Sequence, residues 1–139
     1  MTAVAATMGG APVRIAAHVV GQSGSVGSGT FVSTGLIADS GTLGSLERFV
    51  TLRPELELPA VVHGAESFAG AGGAISIEYN GVFRPVAPGL FAGEGAWRVT
   101  GGNHAYERLC GEGSWAATAV FGPGVLTVDT VFEGTGAFR

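Results

Sequence analysis

Two charged residues interrupt apolar alternating segments, and they are the best candidates for chemistry. In residues 46–52 every second side chain is apolar except Arg48, and in residues 62–68 every second residue is apolar or small except Glu66. Side chains of a strand alternate between faces, so the pattern predicts that Arg48 and Glu66 face inward on consecutive strands. There they could polarise or protonate an oxygen atom of a bound molecule. There are two alternatives. The residues could form a buried structural ion pair, or the alternation could be assigned one residue out of step, so that both residues face outward.

Apolar residues at inward positions of several strands predict a binding wall around this pair. The predicted binding residues are Phe31, Ile77, Tyr79, Trp97, Trp115, Ala117 and Ala119. Ala117 and Ala119 follow the large Trp115 with a period of two, and small residues beside a large one leave space for a ligand. The alternative is that the aromatic residues only fill the core, which we favour for Trp97.

Several other chemistries lack the residues that they need. All seven basic residues are Arg, so a Schiff-base lysine and a Walker A motif are excluded. The three histidines, His18, His63 and His104, lie on separate segments without metal-ligand spacing. Cys110 is the one cysteine, has no base beside it in sequence, and is expected to be structural. The sequence therefore predicts neither a metal nor a cofactor.

Charge and hydropathy limit the partners. The formal net charge is −4 and the arginines are scattered, so no basic stripe for nucleic acid is present. No apolar run reaches the roughly 20 residues that a membrane helix needs, so we expect no membrane insertion. The single cysteine and the absence of a basic segment before the first apolar residues favour a cytoplasmic protein.

The chain of 139 residues reads as one all-β domain. Its 25 glycines, together with the prolines, separate β-branched and aromatic runs about every ten residues, which is typical of many short strands. Eight strands are predicted, at residues 13–20, 29–39, 46–53, 60–68, 74–83, 90–100, 113–121 and 125–133. Residues 1–11 are expected to be a flexible N-terminal segment, residues 53–59 a connection or edge strand, and residues 103–109 at most a short helix.

Eight antiparallel strands can close into a β-barrel, which removes exposed edges and encloses a cavity for one small ligand. Glycines inside the strands, such as Gly35, Gly64, Gly93 and Gly95, suit bends at barrel corners. Apolar residues at outward positions, including Phe49, Val61 and Val131, predict a homo-oligomer, either a dimer or a trimer.

One stretch, residues 97–115, resembles the allene oxide cyclase and dirigent-like β-barrel superfamily. In that superfamily a Gly-Gly-Thr-Gly-x-Tyr/Phe segment precedes a strand beginning Gly-x-Gly; here Gly101 and Gly102 are followed by Asn103 and His104 in place of Thr and Gly. The spacing from Tyr106 to Trp115 looks most like the spirotetronate-type cyclases of polyketide pathways. Residues 29–31, 37–41 and 132–136 also resemble the superfamily.

The resemblance implies an allene oxide cyclase-like barrel with a calycin-type lumen that controls a reactive apolar molecule without a cofactor. The first hypothesis is therefore a cyclase or isomerase of natural-product biosynthesis, with a Diels–Alder-type cyclisation as one option, in which Arg48 or Glu66 polarises one oxygen. The second is a non-catalytic, lipocalin-like carrier of a hydrophobic ligand. The third is an assembly protein whose apolar exterior matters more than its lumen.

Overall fold

The computed structural model describes residues 10–21, 26–49, 59–123 and 125–139, without the side chains of residues 26 and 45–49. Of the predicted N-terminal segment 1–11, residues 1–9 lie outside the described part of the chain, and Ala11 already belongs to the first strand. Most of the connection predicted at residues 53–59 also lies outside it.

Eight strands form one antiparallel sheet, as predicted. They are β1 (Ala11–Gly21), β2 (Val26–Gly35), β3 (Asp39–Phe49), β4 (Ala60–Gly70), β5 (Gly73–Ala87), β6 (Leu90–Gly102), β7 (Leu109–Gly122) and β8 (Val125–Phe138). Each strand pairs with the next one in the chain, and β8 pairs with β1, so the sheet closes into a ring. A 3₁₀ turn at His104–Tyr106 lies where a short helical segment was expected. No helix within the described residues is long and apolar enough to cross a membrane.

The boundary between the second and third strands differs from the prediction. The strand predicted at 29–39 runs through a turn: β2 ends at Gly35, whose φ is +90°, and β3 already begins at Asp39. The turn escapes the pattern because it is apolar, with Ile37 only 3% exposed. The Leu36 N–H donates to the carbonyl of Pro12 at 2.8 Å, which fixes the turn against β1.

Period-two alternation fills the ring with apolar side chains. Phe132 on β8 is fully buried and lies at the centre of a group of edge-to-face rings. Its ring centroid lies 6.0 Å from that of Phe68, 6.1 Å from that of Tyr79 and 6.2 Å from that of Trp97. Rings from β4, β5 and β6 thus pack against one ring on β8, and these contacts link strands on opposite sides of the ring.

Glycines inside the strands make room for these rings. A Cβ at Gly95 would lie 2.7 Å from Nε1 of Trp115, and one at Gly81 would lie 2.6 Å from its Cζ2. A Cβ at Gly93 would lie 2.5 Å from the ring of Phe83. Each of these glycines therefore accepts an aromatic ring flat against its backbone, which packs the otherwise bare position.

Candidate functional site

The predicted binding residues all lie on the inner face of the ring. Their exposed fractions run from 0% to 8%; the residues are Phe31, Ile77, Tyr79, Trp97, Trp115, Ala117 and Ala119. The period-two assignment of these faces is confirmed, whereas their role in binding stays a prediction. Tyr106 and Leu109, each 7% exposed, are also buried, as expected for residues three apart at one end of the ring.

Both indoles are fixed by hydrogen bonds to the backbone. Nε1 of Trp115 donates to the carbonyl of Asn80 at 3.0 Å, and its ring lies 5.7 Å from that of Tyr79. Nε1 of Trp97 lies 3.0 Å from the carbonyl of Ser114 and 3.1 Å from that of Glu133, so one N–H is shared between β7 and β8. The indoles form rigid apolar walls, and their donors are already used.

A row of small residues crosses the inner face of four neighbouring strands. Ala17 of β1 pairs with Thr130 of β8, Thr130 pairs with Ala117 of β7, and Ala117 pairs with Gly93 of β6. Three positions of this small-residue row carry Ala or Thr, the ring of Phe83 covers the fourth, Gly93, and the Thr130 hydroxyl is the one side-chain polar group of the row. Leu126, Val128 and Phe132 alternate along β8, and the same spacing places Thr130 on the inner face. Thr130 was not predicted there because it is polar.

Glu66 faces the interior from the other side of the ring. It is 4% exposed and its backbone pairs with Ser45 and Ile77. Its strand, β4, is four strands from β8 in a ring of eight, so Glu66 and Thr130 lie on opposite walls. The backbone of its predicted partner Arg48 pairs with His63, which lies three residues before Glu66 on β4. The side chain of Arg48 lies outside the described part of the structure.

A second polar cluster, which the sequence did not predict, closes one end of the ring. The carboxylate of Asp39 accepts hydrogen bonds from the Tyr106 hydroxyl, from the N–H of Ala71 at 2.9 Å and from that of Gly72 at 3.0 Å. It also accepts the N–H of Ser40 at 2.8 Å. This Asp39 clamp ties the start of β3 to the β4–β5 turn and to the 3₁₀ turn before β7.

The clamp shifts both side-chain pKa values. The hydrogen bond from Tyr106, followed by those from Gly72 and Ser40, lowers the pKa of Asp39 to about 2. Burial, and then the hydrogen bond to Asp39, raises the pKa of Tyr106 to about 12. A general base works best with a pKa near the working pH, so this carboxylate is suited to holding turns together and poorly suited to proton transfer.

The histidines and the cysteine lie outside the interior. His18, His63 and His104 are exposed, and Nδ1 of His18 lies 2.5 Å from Oδ1 of Asp129 on the outer face. Sγ of Cys110 contacts the carbonyl of Ala137 at 3.3 Å. Within the described ranges, no group of three or more His, Cys, Asp and Glu could hold a metal ion.

Comparison with protein-family models, curated proteins and solved structures finds no match. The fold defines an all-β protein of eight antiparallel strands closed into a ring; among the side chains that the structure describes, Glu66 is the acidic one buried inside. The resemblance to allene oxide cyclase-like proteins stays a prediction.

Proposed function

We propose that the chain is an allene oxide cyclase-like β-barrel that acts as a cofactor-independent cyclase or isomerase on an apolar small molecule held in its lumen. The observation that supports the proposal is the burial of Glu66 in an apolar interior, on the wall opposite the small-residue row. Burying a carboxyl group is costly, and the few polar groups that face an apolar interior are the ones that can orient a bound ligand.

The proposed mechanism is mainly conformational. In this mechanism a flexible, unsaturated substrate packs against the small-residue row, and the fixed ring of Trp115 restricts it to a folded conformer. Holding the reacting carbons together in this way removes several kcal/mol from the barrier of a ring closure. A Diels–Alder-type step fits this chemistry, because its bonds form in one concerted rearrangement and no proton has to be removed.

Glu66 has a limited role in this mechanism. In its protonated, neutral form it donates a hydrogen bond to one carbonyl oxygen of the substrate, which withdraws electron density from the reacting alkene and leaves the proton on Glu66. Thr130 donates to a second oxygen from the opposite wall. Arg48, the other residue proposed for this polarising role, is tested separately because it pairs with His63 rather than with the neighbours of Glu66.

The proposal is tested with a linear polyene that carries one conjugated carbonyl group. Binding is followed by quenching of the two tryptophans and turnover by chromatography of the product. We expect Glu66→Leu, which removes the hydrogen-bond donor, to reduce kcat by about 100-fold or more, while Kd changes less than threefold. Measuring kcat and Kd of the Arg48→Gln variant tests Arg48 as the second candidate for the polarising role. Unchanged kcat in both variants would exclude the polarising roles.

A carrier is the second candidate, because the indole donors are bonded to backbone carbonyls and leave few polar groups for a substrate. The substitution Ala117→Phe fills the small-residue row and should abolish binding for either function. Val120→Phe, at an exposed position on the outer face of the same strand, is its control and should bind normally. Ligand that is bound tightly and recovered unchanged from the wild-type protein would favour the carrier.

A further inference from the structure

The outer face of β2, β1, β8 and β7 carries a short apolar row between two rows of charged and polar residues. Val32 pairs with Ala16, Ala16 with Val131, and Val131 with Ala116, all with side chains on the outside. Val32 is 57% exposed. The two alanines leave a shallow depression of about 560 Å³ across these four strands. We call this surface the β1–β8 face.

An ion pair and a histidine–carboxylate contact flank the apolar row on β1 and β8. On one side, Nε of Arg14 lies 3.8 Å from Oε2 of Glu133, and on the other, Nδ1 of His18 lies 2.5 Å from Oδ1 of Asp129. In both contacts the acidic residue is on β8 and its nitrogen partner is on β1. Each of these carboxylates of β8 thus lies at the same height as a residue of β1 that can bind a carboxylate.

We propose that this face binds a second copy of the chain, in a symmetric dimer whose two-fold axis runs parallel to the strands between β1 and β8. Such an axis places each position of β1 opposite the equivalent position of the partner's β8. Arg14 then meets the partner's Glu133, and His18 meets the partner's Asp129. The Arg14–Glu133 ion pair and the His18–Asp129 contact of each chain thus become two alternating groups of four residues across the interface.

The shapes of the apolar rows are complementary under the same axis. Val32, the large residue at one end of the row, meets the partner's Ala116, the small residue at the other end. Ala16 meets the partner's Val131. Every contact in the row thus joins one valine to one alanine, so that the exposed Val32 faces a small partner residue rather than a second large one.

The charges also exclude the other symmetric arrangement. A two-fold axis perpendicular to the strands would bring Arg14 over the partner's His18, and Glu133 over the partner's Asp129. The second contact opposes two carboxylates, and like charges placed opposite each other disfavour association. A trimer is not consistent with the proposal, because a self-complementary face is satisfied by two copies.

The test measures molar mass by sedimentation and light scattering over a range of concentrations, with far-UV circular dichroism to check folding. We expect wild-type protein to form dimers. Val32→Asp should raise Kd by about 100-fold, since a tenfold effect occurs twice in a symmetric interface. Val86→Asp is the matched control, because Val86 is 60% exposed on β5, away from this face.

A charge exchange tests the axis itself. Arg14→Glu and Glu133→Arg should each weaken the dimer, whereas the double variant, which restores opposite charges across the axis, should recover dimers. A monomeric wild-type protein, a mass of three chains, or a dimer that tolerates both Val32→Asp and Arg14→Glu would overturn the proposal. Dimers lost in the single variants but not recovered in the double variant would overturn the assigned axis.

Discussion

The contact between Trp115 and the glycines of β5 and β6 gives the sharpest test of the fold. The perturbation is one methyl group, introduced by Gly95→Ala. Its Cβ would lie 2.7 Å from Nε1 of Trp115, 2.7 Å from Cα of Gly81, and well inside the contact distance of the Asn80 carbonyl oxygen. Two of these three atoms belong to the backbone of the paired strand, so rotation of a side chain cannot relieve the clash.

The expected loss of stability follows from two effects. Overpacking a dense core costs about 1–3 kcal/mol. Displacing the indole also breaks its 3.0 Å hydrogen bond to Asn80, which contributes about 1 kcal/mol. We therefore expect Gly95→Ala to reduce the free energy of unfolding by about 2–4 kcal/mol, which lowers Tm by roughly 6–15 °C for a domain of this size.

Gly101→Ala provides a control in the same strand. A Cβ at Gly101 would meet no atom within 4 Å, and its φ lies outside the left-handed region. The same chemical change there should be neutral or stabilising by up to about 1 kcal/mol, because it restricts only the unfolded chain. Urea unfolding, followed by circular dichroism and tryptophan fluorescence, compares the two variants. Equal midpoints for Gly95→Ala and Gly101→Ala would refute the packing argument.

Two further predictions concern the core and the Asp39 clamp. Phe132→Ala removes a fully buried ring and should cost about 3–5 kcal/mol, whereas Phe138→Ala on the same strand, 47% exposed, should change stability by about 0.5 kcal/mol or less in urea titrations. Because the pKa of Asp39 is lowered in the folded state, the ionised carboxylate stabilises the fold fully above about pH 3.8, and this part of the free energy of unfolding is lost as the pH falls towards 2. Asp39→Asn should therefore make the free energy of unfolding less dependent on pH in the acid range. Because the pKa of Tyr106 is raised in the folded state, the neutral phenol stabilises the fold below pH 10.0, and this part of the free energy of unfolding is lost as the pH rises towards 12. Tyr106→Phe should therefore make the free energy of unfolding less dependent on pH in the alkaline range. If neither variant changes the pH dependence of stability, the clamp is contradicted.

Periodicity predicted the number of strands and the inner faces of β5, β7 and β8 because apolar and polar residues alternate there with few exceptions, whereas the glycines of β2 and β6 left their inner faces open. It failed at residues 36–38, where the apolar Leu36 and Ile37 form a turn that looks like a continued strand. It also missed Thr130, a polar residue at an inward position. In both places tertiary packing, rather than local preference, determines the environment.

The Asp39 clamp and the glycine–aromatic contacts could not be read from sequence for a different reason. Asp39, Gly72 and Tyr106 belong to three separate turns, and only the closed sheet brings them together. Likewise, Gly95 accepts the ring of Trp115 because the register pairs these two residues across β6 and β7. The register, meaning which residues of neighbouring strands lie opposite each other, depends on all strands together, so it cannot be predicted from the spacing of residues within one strand.

The order of the strands around the ring has a consequence for how the chain folds. Seven of the eight strand pairs join neighbours in sequence, whereas the β1–β8 pair joins residues as far apart as Ala11 and Gly136. The entropy of closing a loop increases with its length, so hairpins should form early and the β1–β8 pair last. Until β8 emerges from the ribosome, β1 has one unpaired edge, and that interval is when the nascent chain is most exposed to aggregation.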